Sequence, residues 1–270
     1  MKIIKTIAQL RSYRATLIGS VGVVMTMGAL HDGHATLIKE AVAHNDHVIV
    51  TNFVNPLQFG PNEDFDKYPR TLDADAELAE TEGAVAMFAP TVEEMYPSGP
   101  FVSVSAGAMG TKLEGAVRPG HFDGVVTVVA KLLNLVQPDK AYFGQKDAQQ
   151  LQIIRRMVFD LNFPVEIQAV PISRDPDGLA RSSRNRYLSA SERETALTLS
   201  KALKTAGTSM TDARKLLDDS DVDVDYFIAV NPETLEETDN GEALVLVAGK
   251  VGTTRLIDNA FVNLSNSLTT

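Results

Sequence analysis

The chain has 270 residues, a net charge of −10 and no cysteine. The lack of cysteine excludes disulfides, thiol catalysis and zinc sites built from thiolates. No long run of basic residues offers a broad face for nucleic acid, and no apolar run reaches the ~18 residues of a membrane helix. We therefore expect a soluble, cytoplasmic protein of one large or two modest domains, with no nucleic-acid or membrane partner.

Short apolar strands alternate with helical segments through the first two-thirds of the chain. Residues 1–14 carry apolar residues at helical spacing and no signal-peptide cleavage pattern, which predicts a helix. A strand is expected at Ser20–Met27, a helix at Ala35–Ala43 and a second strand from His47. The alternation returns with helices in DADAELAETEG, FDGVVTVVAKLLNLVQ and DAQQLQIIRRMVFDL and strands in AVAMFAP, KAYFG and VEIQAVP. This order predicts an α/β, Rossmann-like, doubly wound and mainly parallel sheet.

The residue pattern changes near Pro171. The segment ISRDPDGLARSSRNRYLS is polar and rich in arginine, which predicts a loop or hinge. Two helices follow, the first with Ser189 or Ser191 as its N-cap, and then strands in VDVDYFIAV and EALVLVAGKVGTTRLIDNAFV. We predict two domains with a cleft between them: a Rossmann-like domain at residues 1–172 and a smaller α+β lid domain at residues 173–270.

Two histidines, His31 and His34, flank Gly33 between the first predicted strand and the next helix. Ligands of parallel sheets bind beyond the carboxyl ends of the strands, and a helix N-terminus favours an anion. Histidine N–H groups there can donate to phosphate oxygens, while Gly28 and Gly33 allow close backbone approach. A metal site is the alternative, but it needs a third protein ligand, which cysteine cannot supply. Phosphate is the favoured ligand.

A second histidine pair and two polar segments leave more than one interpretation open. His44 and His47 are expected at the far end of the same helix, as a polar helix end too distant to share a metal with the first pair. Gln58, in the segment Asn55–Thr71, offers a donor and an acceptor to a small polar substrate or belongs to an ordinary turn. Arg118 precedes a predicted helix and is a further candidate for the same site.

Two more polar segments suit the phosphates of a nucleotide. After KAYFG, Lys146 offers a compact charge, and Asp147 either caps the next helix or holds ribose hydroxyls. Gln150 lies one turn further. The hinge segment RSSRNRYLS gathers arginines and serines that suit the outer phosphates, or it is a solvated linker. The chain has no Walker A motif and no GxGxxG, so a nucleotide would be bound by a different motif. HxGH after the first strand of such a sheet resembles the nucleotidylyltransferase superfamily.

Taken in order, these segments resemble the pantothenate synthetase family. The blocks are TMGALHDGH, NPLQFGPNEDFDKYPRT, LEGAVRPGHFDGV, AYFGQKDAQQL, DGLARSSRNRYL and GTTRLIDN, and they span essentially the whole chain. The resemblance implies an ATP-dependent ligase of pantothenate biosynthesis. The carboxylate of (R)-pantoate attacks the α-phosphate of MgATP to give pantoyl adenylate and pyrophosphate. The amine of β-alanine then attacks the acyl carbon to give pantothenate and AMP.

The resemblance also implies the site residues. Pantoate is held by Gln58 and Gln150, and Gln58 also borders β-alanine. The implied catalytic donors are His34, His31, Lys146 and Arg184. The implied ATP-binding residues are Met27, Gly28, Ala29, Leu30, His31, Asp32, Gly33, His34, Gly144, Gln145, Lys146, Asp147, Ser173, Arg181, Ser182, Ser183 and Arg184. Mg²⁺ accompanies ATP without an assigned protein ligand, Asp75 being the one candidate, and a homodimer through the N-terminal domain is implied.

Physical chemistry refines one of these roles. The helix dipole at an N-terminus disfavours an imidazolium, so we expect His34 to act as a hydrogen-bond donor at least as readily as a proton donor.

Three positions depart from the family pattern. Met25 stands where a proline is common, and Ala74 stands at a position that is acidic in some members. Arg181 stands where the family usually has an apolar residue; if that residue packs near adenine, arginine could stack on the base instead.

Three other functions compete with this interpretation. Another HxGH enzyme would transfer a nucleotidyl group to a phosphate ester, which the uncharged Gln58 and Gln150 disfavour. A nucleotide sensor would bind ATP without turnover, and only the intact set of donors speaks against it. A histidine metal-binding protein ranks third.

Overall fold

The computed structural model describes residues 1–60 and 65–264. These residues form two compact units: Met1–Gly144 with Ile153–Val170, and Gln145–Gln152 with the chain from Pro171 onward. The domain boundary expected after residue 172 stays a prediction. Residues 61–64 of the Asn55–Thr71 segment lie outside the described residues. No helix in the described ranges is long and apolar enough to cross a membrane.

A six-stranded parallel sheet forms the centre of the first unit. Its strands are β1 (Lys2–Ile4), β2 (Val21–Thr26), β3 (His47–Asn52), β4 (Ala86–Phe88), β5 (Lys140–Gly144) and β6 (Glu166–Val170). They lie in the order β1-β4-β3-β2-β5-β6, and every neighbouring pair is parallel. The strand order therefore reverses between β2 and β5, which is where ligands of doubly wound sheets bind. The predicted α/β fold class is confirmed.

Helices accompany these strands. They are α1 (Ile7–Arg14), α2 (Asp32–Ala43), α3 (Leu72–Thr81), α4 (Val92–Met95), α5 (Glu114–Val117), α6 (His121–Val136) and α7 (Ala148–Asp160), with short 3-10 turns at Pro56–Gln58 and Gly107–Gly110. Ile38 of α2 packs in one buried cluster with Val24, Val50 and Met87 of the sheet. Burial of such aliphatic side chains is the main favourable term in holding a helix against a sheet.

Two expectations about the first unit were wrong. Residues 2–4 form β1, paired with β4, rather than the start of a helix. Helix α1 begins only at Ile7, after the capping box of Thr6 and Gln9. His44 and His47 do not share a helix end: His44 is the C-cap of α2, whereas His47 begins β3 opposite Val21.

The second unit is a smaller α+β structure, as predicted. Two helices, α8 (Ala190–Ala206) and α9 (Met210–Asp218), precede an antiparallel sheet of β7 (Asp223–Val230), β8 (Gly241–Val251) and β9 (Thr254–Leu264). Ser189 is the N-cap of α8 and forms a capping box with Glu192. Leu199 and Leu203 of α8 lie in one apolar core with Val245 and Val247 of β8.

Candidate active site

The loop between β2 and α2 is held by the carboxylate of Asp75 in α3. Its Oδ2 accepts the backbone N–H of Ala29 at 3.1 Å, and its Oδ1 accepts that of Leu30 at 2.8 Å. Asn52 and the Thr71 hydroxyl donate to the same carboxylate at 2.8 and 3.1 Å. Asp75 is 2% exposed, so this set of donors is what makes its burial tolerable.

Asp75 therefore acts as an anchor for the loop. Two of the N–H groups in the expected ATP-binding segment are bonded within the protein rather than turned toward a ligand. At Gly28, where φ is +86°, an added Cβ would lie 2.6 Å from Asn52 Oδ1. The loop thus requires glycine at this position.

No three His, Asp or Glu side chains of the described ranges come together as a metal site.

His31 and His34 form a reciprocal cap at the start of α2. The N–H of Gly33 donates to His31 Nδ1 at 3.1 Å, and the N–H of His31 donates to His34 Nδ1 at 3.3 Å. Because each Nδ1 accepts a hydrogen bond, the proton of each neutral ring lies on Nε2. The ring centroids are 4.2 Å apart.

His34 is neutral at physiological pH. Burial is the largest cause that lowers its pKa from 6.5 to about 4; repulsion from His31, when that ring is protonated, adds to this, and the Asp75 carboxylate opposes it. A neutral imidazole with its proton on Nε2 can donate a hydrogen bond to an anion without titrating. It lies at a helix N-terminus, where the dipole also favours an anion.

Gln58 lies in the same unit and contacts the histidine loop. Its Nε2 is 3.1 Å from the sulfur of Met27, and its Oε1 accepts the amide of the buried Asn55 at 3.1 Å. Asn55 also donates to the Gly124 carbonyl and accepts the Tyr96 hydroxyl, both at 3.1 Å. Burial raises the pKa of Tyr96 to about 12, so it remains a donor. The structure thereby brings Gln58 and the histidine loop together.

Arg118, just before α6, and His121, at its start, support the turn that bears Gln58. His121 Nδ1 donates to the carbonyl of Gln58 at 2.8 Å, and its Nε2 accepts from Arg118 at 3.0 Å. An added Cβ at Gly124 would lie 2.2 Å from the Leu57 carbonyl oxygen, so only glycine allows α6 this close to the turn. Sequence reasoning singled out Arg118 but missed His121 and Gly124, although HFDG stands beside it.

The second unit holds Lys146, and a side chain from β9 fixes its backbone. Asn259 Nδ2 donates to the carbonyls of Gln145 and Lys146, each at 3.0 Å, and Asn259 Oδ1 accepts Gln145 Nε2 at 3.0 Å. Gln150 lies half-buried in the first turns of α7. In the first unit, Gly144 ends β5, and an added Cβ there would meet open space.

The arginine-rich segment in the second unit begins as a short hairpin. The N–H of Arg181 donates to the Ser173 carbonyl at 2.9 Å, and its Nε donates to Asp175 at 2.9 Å. Ser182 then caps a 3-10 turn over Ser183–Tyr187 by accepting the N–H of Arg184 at 3.2 Å. The Arg181 guanidinium is thus held by a carboxylate.

The other two departures from the family pattern lie in the first unit. Met25 lies half-buried in β2 opposite Thr51. Ala74 is exposed on α3, next to the buried Asp75.

Comparison with known proteins decides the family. The model of the pantoate–β-alanine ligase family matches residues 2–261. The chain belongs to this family. It is 56% identical to the pantothenate synthetase of Acidothermus cellulolyticus over 271 residues, covering 94% of this chain and 89% of that protein. The Salinispora arenicola pantothenate synthetase is 51% identical and matches over 98% of both chains.

Solved structures agree. A pantothenate synthetase from Thermus thermophilus superposes with a TM-score of 0.86 at 46% identity, covering 96% of this chain and 99% of that one. The Francisella tularensis pantoate–β-alanine ligase, complexed with β,γ-ATP and β-alanine, gives 0.80 at 35% identity, covering 96% and 97%. The chain is therefore an ATP-using ligase of pantothenate biosynthesis that makes pantothenate from pantoate and β-alanine.

Proposed function

We propose that the chain joins pantoate to β-alanine through a pantoyl-adenylate intermediate. A carboxylate oxygen of pantoate forms a bond to the α-phosphorus of ATP, and the bond to the bridging oxygen breaks, so that pyrophosphate leaves. The β-alanine nitrogen then bonds to the acyl carbon, the bond to AMP breaks, and the nitrogen loses a proton. Because a carboxylate is already nucleophilic, the protein needs only to position two anions and stabilise phosphate charge.

The fixed tautomers of His31 and His34 are the observation that carries this proposal. Both rings have Nδ1 occupied by a backbone N–H and the proton on Nε2. They lie at the N-terminus of α2, next to the point where the strand order reverses. We assign both Nε2 protons to phosphate oxygens, with His34 as a donor that stays neutral rather than as a proton-transfer acid.

The remaining site residues are proposed in two groups. Gln58 binds pantoate through its amide, which the contacts with Asn55 and Met27 orient. In the second unit, Gln150 is a second pantoate ligand, Lys146 binds phosphate as a compact charge, and Arg184 stabilises departing pyrophosphate. The implied ATP-binding segments, residues 27–34, 144–147, 173 and 181–184, are retained, except that the Ala29 and Leu30 N–H groups serve Asp75.

Mg²⁺ is proposed to enter bound to ATP. Mg²⁺ commonly binds substrate phosphates and water with only one or two carboxylates, so it does not require a cluster of protein ligands. The four donors around Asp75 give that carboxylate a structural role, and we assign it no metal. When bound, the ion neutralises charge on the phosphate oxygens.

We also propose a cytoplasmic homodimer formed through the first unit. Phe101 and Val102 are adjacent and 88% and 87% exposed, and Ile18 of the same unit is equally exposed. Adjacent apolar side chains that are almost fully exposed are typical of a surface that a partner covers. The family resemblance favours a second copy of the chain as that partner.

We also propose that the boundary between the two domains lies between residues 172 and 173.

An isotope experiment tests the intermediate. Pantoate labelled with ¹⁸O in its carboxylate is incubated with MgATP and β-alanine, and the AMP is analysed by mass spectrometry. An adenylate intermediate transfers one ¹⁸O to the phosphate of AMP. Pantothenate keeps one carboxylate oxygen in its amide; unlabelled AMP, with the other ¹⁸O in pyrophosphate or in water, would rule the intermediate out.

A further inference from the structure

Two neighbouring side chains of β9, Asp258 and Asn259, contact both nucleotide-binding segments proposed for the second unit. They are 4% and 3% exposed, respectively. One segment is residues 145–147, with Lys146, and the other runs from Ser173 to Arg184. Neither Asp258 nor Asn259 is among the site residues assigned above.

Asn259 makes three side-chain hydrogen bonds to the first segment. Its amide nitrogen donates to two consecutive carbonyls, of Gln145 and Lys146, and its oxygen accepts the Gln145 amide, all at 3.0 Å. Two successive carbonyls bound by one buried amide leave this stretch of backbone little freedom to rotate. The Lys146 side chain therefore starts from a fixed point.

Asp258 holds the second segment. Its two oxygens accept a bidentate pair from Arg174 at 2.7 and 2.9 Å, and Arg174 also donates to the Gly178 carbonyl at 3.1 Å. Arg174 and Ala180 pair across the hairpin that leads to Arg181. Bidentate arginine–carboxylate pairs fix orientation as well as distance.

The two contacts are coupled. Asp258 Oδ1 also accepts the backbone N–H of Asn259 at 2.8 Å, so both segments are attached to one rigid point of a three-stranded sheet. We propose that Asp258 and Asn259 are positioning residues for adenylation, which hold Lys146 and the arginine segment at a set separation. The inference rests on the proposed function, because it assigns those two segments to the nucleotide. A displacement of about 1 Å in such groups can cost on the order of 100-fold in rate.

Asn259→Asp is the sharpest variant. The carboxylate has the same shape and still accepts the Gln145 amide, but it cannot donate to the two carbonyls and repels them. We expect adenylation, measured as pantoate-dependent exchange of pyrophosphate into ATP, to fall at least tenfold in kcat/KM for ATP. Asn263→Asp, the same change at an exposed position of β9, is the matched control and should stay within about twofold.

A double-mutant cycle separates positioning from general damage. If Asn259 acts through Lys146, the double variant Lys146→Ala/Asn259→Asp should be no slower than Lys146→Ala alone, because the group being positioned is already gone. Losses that multiply would overturn the inference, as would an Asn259→Asp rate equal to that of the control. If Lys146→Ala itself kept full activity, the site assignment under the proposed function would fail instead.

Arg174→Lys covers the case in which Asn259→Asp does not fold. Lysine keeps the charge but loses the bidentate contact with Asp258. We expect a several-fold rise in KM for ATP, with the KM for β-alanine unchanged. An unchanged KM for ATP would overturn the role of Asp258.

Discussion

The backbone N–H of His31 donates to Nδ1 of His34, and this one contact sets which nitrogen of the half-buried imidazole bears the proton. The usual capping box pairs serine or threonine with glutamate or glutamine. Here two histidines replace them, so the residues that cap α2 also present two Nε2–H groups at a helix N-terminus. The same contacts that stabilise the helix orient the proposed donors.

The pH dependence of stability tests the neutral state of His34. The pKa of His34 is about 4 in the folded chain, against the ordinary histidine pKa of 6.5, so the unfolded chain takes up this proton first as the pH falls. The stability that His34 contributes is therefore complete above pH 6.5 and is lost as the pH falls toward 4, by up to about 3 kcal/mol. We expect urea unfolding of His34→Asn to lose less stability between pH 7 and pH 4.5 than the unsubstituted chain.

His44 supplies the control for that measurement. It is an exposed C-cap residue of α2, and His44→Asn should retain the full loss of stability on acidification. Equal losses in all three proteins would mean that His34 is not held neutral.

Gly124→Ala tests the close packing that places Gln58. The added methyl group would meet the Leu57 carbonyl, and overpacking of this kind costs about 1–3 kcal/mol even though alanine is the better helix former. The turn that bears Gln58 must shift, so we also expect a raised KM for pantoate with a smaller change in the KM for ATP. Thermal unfolding and initial rates check both effects.

Gly207→Ala is the matched substitution. Gly207 ends α8 at φ −63°, and its nearest neighbour would lie 3.6 Å from the new Cβ. This change should be neutral or slightly stabilising. A Gly124→Ala protein as stable as Gly207→Ala would contradict the packing argument.

Asp75→Asn separates an anchor from a metal ligand. An amide has one acceptor oxygen where the carboxylate has two, so one of the N–H groups of Ala29 and Leu30 loses its partner at a cost of about 1–3 kcal/mol. We expect lower stability and a higher KM for ATP, with an unchanged dependence of activity on Mg²⁺ concentration. Asp73→Asn, on the exposed side of the same helix turn, should behave like the parent. Rescue of Asp75→Asn by excess Mg²⁺ would instead support a metal ligand.

Phe101→Asp tests the proposed homodimer. A charge in the centre of a buried apolar interface is strongly unfavourable, so light scattering should show a monomer at concentrations where the parent is a dimer. Phe159→Asp, at an exposed phenylalanine elsewhere in the first unit, should leave the dimer intact. A Phe101→Asp protein that remains dimeric would exclude this surface.

Local patterns predicted the strands other than β1 and most of the helices, because the causes of these elements are local. The β-branched run of β2 and the capping box of Ser189 and Glu192 are readable from a few adjacent residues. The capping-box spacing of Thr6 and Gln9, three residues apart, could also have predicted that α1 begins at Ile7. The three residues of β1 could not be predicted, because only their pairing with β4, more than 80 residues away, makes them a strand.

The sequence indicates the side chains of the proposed site but not the contacts that support them. The histidine pair, Gln58 and Lys146 were singled out because they follow the ends of predicted strands. Asp75, by contrast, reaches Leu30 across 45 positions, and Asn259 reaches Lys146 across 113. No local spacing encodes contacts between such distant positions.

Pyrophosphate exchange into ATP, measured with pantoate present and β-alanine absent, is the sharpest check on the adenylate intermediate and on the role of His34. We expect exchange that requires pantoate, at a rate on the order of 100-fold lower in His34→Ala and unchanged in His44→Ala. Exchange that continues without pantoate, or that is undiminished in His34→Ala, would contradict this expectation.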